Sequence, residues 1–182
     1  MTNIKLILAL LLLMLMHCKS YAYEYDPLLL RAQAALFPKI VLLDKDVREK
    51  LKSNSLEILV LHVENDLINA ELTKALIEEK YRKTNKNALS IKLVKYSDFK
   101  DSMIATAYFL LKGTDDSVKM VSNFAEKNNR VTFSYDYNDF DSNALLSVIM
   151  RERTYIYLNK KSVQKYNIKF IPLFYKIVKV VE

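Results

Sequence analysis

Residues on which much protein chemistry depends are scarce in this sequence. Its 182 residues include one cysteine, one glycine, two histidines and no tryptophan. A lone cysteine can form neither an intrachain disulfide nor a multi-cysteine metal site. A lone glycine excludes glycine-rich phosphate loops and the G-x-S-x-G nucleophile elbow. These absences argue against a conventional enzyme, and we expect no catalytic residue, no cofactor and no metal site.

The first 22 residues have the layout of a secretory signal peptide. Lys5 precedes an apolar run at residues 6–16, and residues 20–22 (Ser-Tyr-Ala) offer a small-x-small cleavage site. The run is too short to span a bilayer, which takes about 20 apolar residues. We therefore predict a periplasmic protein, in which residues 1–22 are removed and residues 23–182 form one domain.

This segment has two alternatives to cleavage after Ala22. Cys18 lies in the outline of a lipoprotein acylation site, but the bulky His17 stands where a small residue is normal, which disfavours lipidation. The other outcome is an uncleaved anchor. Cleavage removes both His17 and Cys18, so that His62 is the only imidazole left and no thiol remains.

The charge of the chain is also informative. The net charge is +7, and the basic residues look scattered along the sequence, which indicates a role in solubility. In an exported protein this pattern gives no reason to expect a nucleic-acid partner.

Apolar runs and helical spacings alternate along the first three quarters of the chain. The predicted order is helix, strand, helix, strand, strand, helix, strand, at residues 28–43, 56–63, 65–83, 89–95, 104–111, 114–129 and 131–135. In the second helix, apolar residues recur at helical spacing and predict its buried face: Ile68, Leu72, Ala75 and Leu76. Such alternation is typical of a mostly parallel sheet with right-handed crossovers and helices on both sides.

The last quarter has a different pattern. Residues 144–150 and 154–158 are apolar runs with a three-residue gap, which predicts an antiparallel hairpin. A short helix is predicted at residues 160–166, and a helical stripe at residues 170–181 predicts a C-terminal helix. The predicted fold is a single-domain three-layer α/β sandwich, with a mostly parallel sheet and a C-terminal antiparallel hairpin.

The first helix is apolar almost all round, whereas a helix on the outside of a domain needs only one apolar stripe. Pro38 is predicted to end or kink it near Phe37. The excess apolar surface has two interpretations, deep burial or a contact face for another chain. The candidate partner or dimer surface combines this helix with two tyrosines of the hairpin: Leu28, Leu29, Phe37, Ile40, Tyr155 and Tyr157.

Three further features each have a functional and a structural interpretation. Residues 136–141 (DYNDFD) resemble a calcium loop but lack its glycine and its glutamate, so an ordinary turn is favoured. His62, near a strand end, is either a ligand contact or a buried core histidine. Tyr135 and Tyr137, or Tyr155 and Tyr157, either line a recognition surface or pack into the core.

The C-terminal quarter resembles the closing segment of the YfiR-like family of exported bacterial proteins. In residues 142–181 a hairpin ends in Asn159 and a short helix follows. A segment that contains Phe170 and Leu173 then leads into the last helix. Residues 28–46 resemble the family's opening helix, and the order of elements agrees. The chain departs from the family where it lacks tryptophan and where Pro38 lies inside the apolar run.

The resemblance implies a signalling regulator. The best-known member represses an inner-membrane diguanylate cyclase by binding its periplasmic sensor domain, and so controls cyclic-di-GMP. By this resemblance we expect a regulator, most simply a homodimer, that represses a membrane cyclase or histidine kinase and carries no catalytic residue. The alternative is a small-ligand binding module related to one lobe of a periplasmic solute receptor. No particular small molecule is indicated.

Overall fold

The computed structural model describes residues 23–82 and 88–181, and the predicted signal peptide lies outside the described residues. Within these ranges seven strands form one sheet in the order β2-β1-β3-β4-β5-β6-β7. The strands are β1 Ser55–His62, β2 Ala88–Lys95, β3 Ala107–Leu110, β4 Val131–Ser134, β5 Leu146–Met150, β6 Thr154–Asn159 and β7 Val178–Val181. The helices are α1 Pro27–Val41, α2 Val47–Lys50, α3 Leu67–Arg82, α4 Asp115–Lys127, α5 Lys160–Lys165 and α6 Pro172–Ile177.

The predicted three-layer α/β sandwich is confirmed. All neighbouring strands are parallel except β5 and β6, which form the predicted antiparallel hairpin with Leu146 opposite Leu158. Parallel strands that are covered on both faces are mostly apolar, and β1 is buried from Leu56 to its end with only Glu57 and His62 as polar residues there. In the described ranges no helix is long and apolar enough to cross a membrane.

Aromatic contacts show which helix covers which face of the sheet. The Phe37 ring of α1 lies 5.4 Å from Phe109 and 5.0 Å from Phe133. The Phe124 ring of α4 lies 6.2 Å from Tyr108 on the other side. Because neighbouring residues of a strand point to opposite faces, α1 and α4 cover opposite faces of β3 and β4. Helix α3 packs beside α1 on the same layer.

Pro38 does not end the first helix near Phe37, which was one of the two predicted outcomes, since α1 runs on to Val41. Asp26 caps its first turn by accepting from the amide of Leu28 at 2.8 Å. Pro38 lies in the last turn, where its missing amide removes one helical bond, and the Leu42 amide still reaches the Pro38 carbonyl at 3.2 Å. Burial of this last turn against the sheet keeps it helical.

The predicted buried face of α3 is wrong in part. Leu76 is buried as predicted, but Ile68 is 81% exposed, Leu72 is 43% exposed, and Ala75 is exposed as well. The other buried positions are Ala70, Thr73, Ile77 and Tyr81. Small residues such as Ala70 and Thr73 allow α3 to lie close against α1, and this contact sets the rotation of the helix.

The helix predicted for residues 170–181 is only partly present. Helix α6 has six residues, and β7 follows it and pairs in parallel with β6. Three of its four residues are valines, which suit a strand, and β6 offers an unpaired edge to bond with. Of the predicted apolar stripe, Phe170 and Phe174 are buried, whereas Leu173 and Ile177 are exposed.

Candidate functional site

The chain reverses its direction across the sheet between β1 and β3. Helix α3 leads from β1 to β2 on one side, and α4 leads from β3 to β4 towards the other. Folds of this type bind ligands in the crevice beyond the carboxyl ends of the strands at such a switch point. The residues at this edge are therefore the first candidate site.

A short N-terminal segment crosses this edge and places Tyr25 in the crevice. The Tyr25 hydroxyl donates to a carboxylate oxygen of the buried Asp66 and accepts from the backbone amide of Lys112 at 2.9 Å. Its ring meets that of Tyr135 edge to face, with centroids 4.5 Å apart. The switch-point crevice is thus filled by the protein's own side chains.

Several polar contacts hold this segment in place. The Lys112 ammonium donates to the Glu24 carbonyl at 2.9 Å and lies 5.7 Å from the Tyr25 ring and 5.5 Å from the Tyr135 ring. The Asp26 amide donates to the Tyr135 hydroxyl at 2.7 Å. Burial, followed by the hydrogen bond to Asp66, raises the pKa of Tyr25 far above its ordinary value. The tyrosine therefore stays neutral and serves as a fixed hydrogen-bonding group.

The single glycine of the chain lies beside this edge. A Cβ at Gly113 would stand 2.8 Å from the ring of Tyr96, so only glycine fits there without displacing that ring. Tyr96 is buried and donates its hydroxyl to the Leu111 carbonyl at 2.7 Å. Burial raises the pKa of Tyr96 well above its ordinary range.

The acidic segment at residues 136–141 contains a short 3-10 helix, Tyr137–Phe140, and Asp136 caps it by accepting from the Asn138 amide at 2.9 Å. Asp139 is buried and accepts from the Ser134 hydroxyl. Burial raises the pKa of Asp139 to about 6, and nearby acidic side chains add to this rise. The hydrogen bond from Ser134 acts in the opposite direction and lowers the pKa. Over residues 23–82 and 88–181, no three histidine, cysteine or acidic residues come together as a metal site.

His62 is a buried strand residue that also borders a cavity. It is 2% exposed, and its Nδ1 lies 2.8 Å from the Val63 carbonyl oxygen. The cavity has a volume of about 340 Å³ at the carboxyl ends of β1 and β2. Lys95, Asp98 and Met103 line its other sides. Both interpretations of His62, core residue and ligand contact, therefore fit its position.

A second candidate surface lies on the hairpin, on the sheet face opposite α1. Tyr155 is half-buried there, with the Lys179 ammonium 3.6 Å from its ring centroid. The Arg153 guanidinium lies 5.0 Å from the same ring, and its Nε donates to the Tyr155 hydroxyl at 2.8 Å. This hydrogen bond lowers the pKa of Tyr155. We call Arg153, Tyr155 and Lys179 the cation–tyrosine cluster.

Further aromatic rings continue from this cluster across the sheet face. The ring of Tyr157 lies 6.3 Å from that of Tyr155 and 5.1 Å from that of Tyr137. Tyr157 is buried, whereas Tyr137 is half-buried. Of the four tyrosines singled out in the sequence, Tyr135 and Tyr157 therefore pack into the protein, and Tyr137 and Tyr155 are partly open to solvent.

The predicted partner surface is not one surface. Phe37 and Ile40 are 0% and 2% exposed and belong to the core, so their assignment to a contact face is wrong. They turn inward because α1 must cover β3 and β4. Leu28 is 66% exposed at the start of α1, and Leu29 is half-buried. Tyr155 and Tyr157 face the opposite side of the sheet.

The three residues on which the predicted family resemblance depends have distinct structural roles. The Asn159 amide donates to the carbonyls of Phe140 and Ala144 at 2.8 and 3.1 Å, and its oxygen accepts from the first amides of α5. The Phe170 ring stacks on Phe174 with centroids 4.2 Å apart. Leu173 is 59% exposed and contributes little to the core.

The sequence interpretation missed the residues that fill the crevice. Tyr25 contacts Asp66 and Lys112 across 41 and 87 positions, and neither pair lies in a local pattern. The sequence does carry one signal that was overlooked, an uneven distribution of charge. Residues 144–182 hold eight basic and two acidic residues, whereas residues 23–143 hold 18 basic and 19 acidic ones. The description of the basic residues as scattered is therefore wrong.

Comparisons with known proteins relate the chain to others by fold. No protein-family model and no curated protein matches it. A conserved domain protein from Vibrio cholerae O1 biovar El Tor superposes with a TM-score of 0.56 at 10% identity, over 82% of this chain and 60% of that one. The ABC domain from Streptococcus pneumoniae, in complex with L-Trp, superposes with a TM-score of 0.53 at 13% identity, over 79% and 62%. This chain spans less than two thirds of either structure, and at these identities the likeness shows a shared fold.

Proposed function

We propose that this chain is an exported, non-catalytic regulator of the YfiR-like kind. In this proposal it binds the sensor domain of an inner-membrane diguanylate cyclase or histidine kinase and represses it. The contrast between the two candidate surfaces carries the proposal. Tyr25 fills the crevice in which related folds hold small ligands, while the cation–tyrosine cluster is open to solvent. Tyrosine and arginine are enriched where proteins recognise other proteins.

The resemblance at residues 142–181 supports the same function. Asn159, which matches the family's asparagine, is 2% exposed and joins the hairpin to the loop before it and to α5. The hairpin that carries the cation–tyrosine cluster is therefore rigidly attached to the parallel sheet. A rigid surface is suited to a regulator, since it loses little conformational freedom on binding.

The mechanism follows from differential binding. A regulator that holds a sensor in one of two states can shift the balance only as far as its affinities for those states differ. With a diguanylate cyclase as the partner, repression lowers cyclic-di-GMP. For the proposed homodimer, the exposed apolar side chains at the starts of α1 and α3 support a contact on that side. These include Leu28 at 66% exposure and Ile68 at 81%.

Site-specific cross-linking in cells tests the proposal. A photoreactive amino acid replaces Glu152, which is exposed in the hairpin loop, and in a second strain it replaces Lys119, which is exposed on α4. We expect a light-dependent adduct with a membrane cyclase or kinase from position 152 and none from position 119. Recovery of the protein from the cytosol with Met1 still attached, or equal labelling from both positions, contradicts the proposal.

A second function, binding of a small ligand, is favoured by the cavity of about 340 Å³ beside His62. One of the structures with a similar fold holds L-Trp. A ligand that binds the native state raises the unfolding temperature. We would screen L-Trp and other amino acids by thermal shift, with Asp98→Asn in the cavity lining and Asp101→Asn as the exposed control. A shift that Asp98→Asn alone removes supports this function, and no shift with any compound contradicts it for this class of ligand.

A further inference from the structure

The positive charge of the protein is concentrated in the C-terminal quarter of the chain, which also carries the cation–tyrosine cluster. Residues 144–182 carry a net charge of +6, whereas residues 23–143 carry −1. The basic segment forms the hairpin, the two short helices α5 and α6, and the edge strand β7. A field of one sign on one side of a small protein attracts partners of the opposite sign and speeds their association.

The local geometry draws cations together around one aromatic ring. Lys179 and Arg153 both lie within 5.0 Å of the Tyr155 ring centroid. Arg151 joins Tyr155 and Lys179 in lining a cavity of about 300 Å³, and among the described residues Glu152 is the one acidic residue that lines it. Within the described part of the chain, no carboxylate forms an ion pair with these three basic residues. Like charges this close repel each other, and a bound anion would relieve that repulsion.

The cation–tyrosine cluster lies at the edge of the sheet, and this position indicates which kind of anion it binds. Strand β7 is the last strand of the sheet, and it presents the exposed Lys179 and Val180. Lysine on an edge strand opposes pairing with a second copy of the same strand, because the copy brings the same positive charge. An extended acidic segment carries complementary charge and can lie along this edge.

We propose that the cation–tyrosine cluster binds the carboxylates of an acidic segment in a protein partner. This inference rests on the proposed function and specifies the chemistry of the partner's contact surface. Arg153 and Lys179 supply the charge, and the ring of Tyr155 holds both cations in place on the sheet face. Arg151 also lines the cavity and adds a third positive charge to it.

Fluorescence anisotropy with a labelled glutamate-rich peptide tests the inference on the purified protein. The double variant Arg153→Gln/Lys179→Gln is compared with Lys119→Gln/Lys127→Gln, which removes the same charge from exposed positions on α4. We expect the cluster variant to bind about tenfold more weakly and the control to stay within about twofold of the wild type. The exchange Arg153→Lys/Lys179→Arg keeps both charges and should retain most of the binding.

The outcomes separate this inference from the proposed function. Equal weakening by both double variants, or no peptide binding by the wild type, overturns the inference. Binding of anionic lipid vesicles, but not of the peptide, that depends on Arg153 and Lys179 also overturns it and assigns the cluster to a membrane surface. A cross-link from position 152 to a membrane sensor, without any peptide binding, leaves the proposed function standing and removes only the acidic partner segment. Thermal unfolding of each variant checks that it is folded.

Discussion

Tyrosine and lysine have opposite roles in two regions of the molecule, the carboxyl edge of the parallel strands and the face of the C-terminal hairpin. At the edge, Tyr25 is bonded to Asp66 and Lys112, and the Lys112 ammonium is bonded to the Glu24 carbonyl. On the hairpin, Tyr155 is half-buried and the exposed Lys179 lies against its ring. The polar groups at the edge are therefore satisfied within the protein, whereas those on the hairpin can interact with another molecule.

The difference arises from what covers each surface. The N-terminal segment and α1 lie over the edge, and the rings of Tyr25 and Tyr135 pack together there. Neither α1 nor α4 extends over the hairpin face that bears the cluster, where side chains are more open. A surface that the fold has already filled is a poor ligand site, and a surface that it leaves open is a better one. Four substitutions test this comparison between covered and open regions.

The largest effect is expected in the covered region, at Phe37. Its ring is 0% exposed and contacts Phe109 and Phe133. We expect Phe37→Ala to lower the free energy of unfolding by about 3–5 kcal/mol, because it removes buried apolar surface and leaves a cavity. Ile177→Ala in the open region, where the side chain is 53% exposed, should change it by less than about 1 kcal/mol. Urea unfolding measures both changes in the free energy of unfolding. Similar losses for the two variants would contradict the difference between the covered and the open region.

The second test is at Asn159, where the hairpin joins the rest of the sheet. Asn159→Ala removes four hydrogen bonds and leaves the carbonyl of Ala144 and the amide of Ser162 without these partners. We expect a loss of about 3 kcal/mol in the free energy of unfolding, since buried polar groups without partners are costly. The control is Asn138→Ala at an exposed position, which keeps its backbone bond to Asp136. A loss at Asn159 no larger than that of the control would show that the junction is not rigid.

The third test uses pH at the covered edge. Burial raises the pKa of Asp139 from 3.8 to about 6, so between these values the native protein holds a proton that the unfolded chain releases. The stability of the native state therefore falls as the pH rises through this window. Between pH 4 and pH 7, we expect the free energy of unfolding to fall by about 2 kcal/mol less in Asp139→Asn than in the wild type, as measured by urea unfolding. Asp141→Asn, at an exposed position, should leave the slope unchanged, and an unchanged slope in Asp139→Asn would contradict the prediction.

The smallest effect is expected at the residue that fills the crevice. Tyr25→Phe keeps the ring contact with Tyr135 but removes the hydroxyl between Asp66 and Lys112. We expect a loss of about 1 kcal/mol in the free energy of unfolding and faster hydrogen exchange at the Lys112 amide. Tyr175→Phe, at 49% exposure, is the matched control. An unchanged exchange rate at Lys112 would show that Tyr25 does not close the crevice.

The parts of the fold that local pattern governs were predicted well. The apolar runs indicated β1 and the hairpin, and the helix predicted at residues 114–129 is present as α4, capped by Thr114, which accepts from the Ser117 amide. The errors lie where a neighbouring element decides the outcome. Packing against α1 set the rotation of α3 and left Ile68 exposed, and the free edge of β6 turned the last four described residues into a strand.

The candidate site was harder to anticipate than the fold. Phe37 and Ile40 have the composition of a contact face, but α1 uses them to cover the sheet. Tyr155 is a candidate from the sequence and Arg153 lies two residues before it, but Lys179 reaches the ring only through the pairing of β6 with β7. No periodicity in the sequence distinguishes an apolar residue that faces a partner from one that faces the core.

The amino-acid sequence by itself determined the alternating α/β order, the scarcity of reactive side chains and the excess of positive charge in the last 39 residues. These follow from composition and from spacings of a few residues, because hydrophobic periodicity and charge are local properties. Only the tertiary structure decided that Tyr25 fills the switch-point crevice and that two cations meet at Tyr155. The contacts of Tyr25 and the contact of Lys179 with Tyr155 join residues far apart in the chain, and their geometry exists only once the strands have taken their order in the sheet.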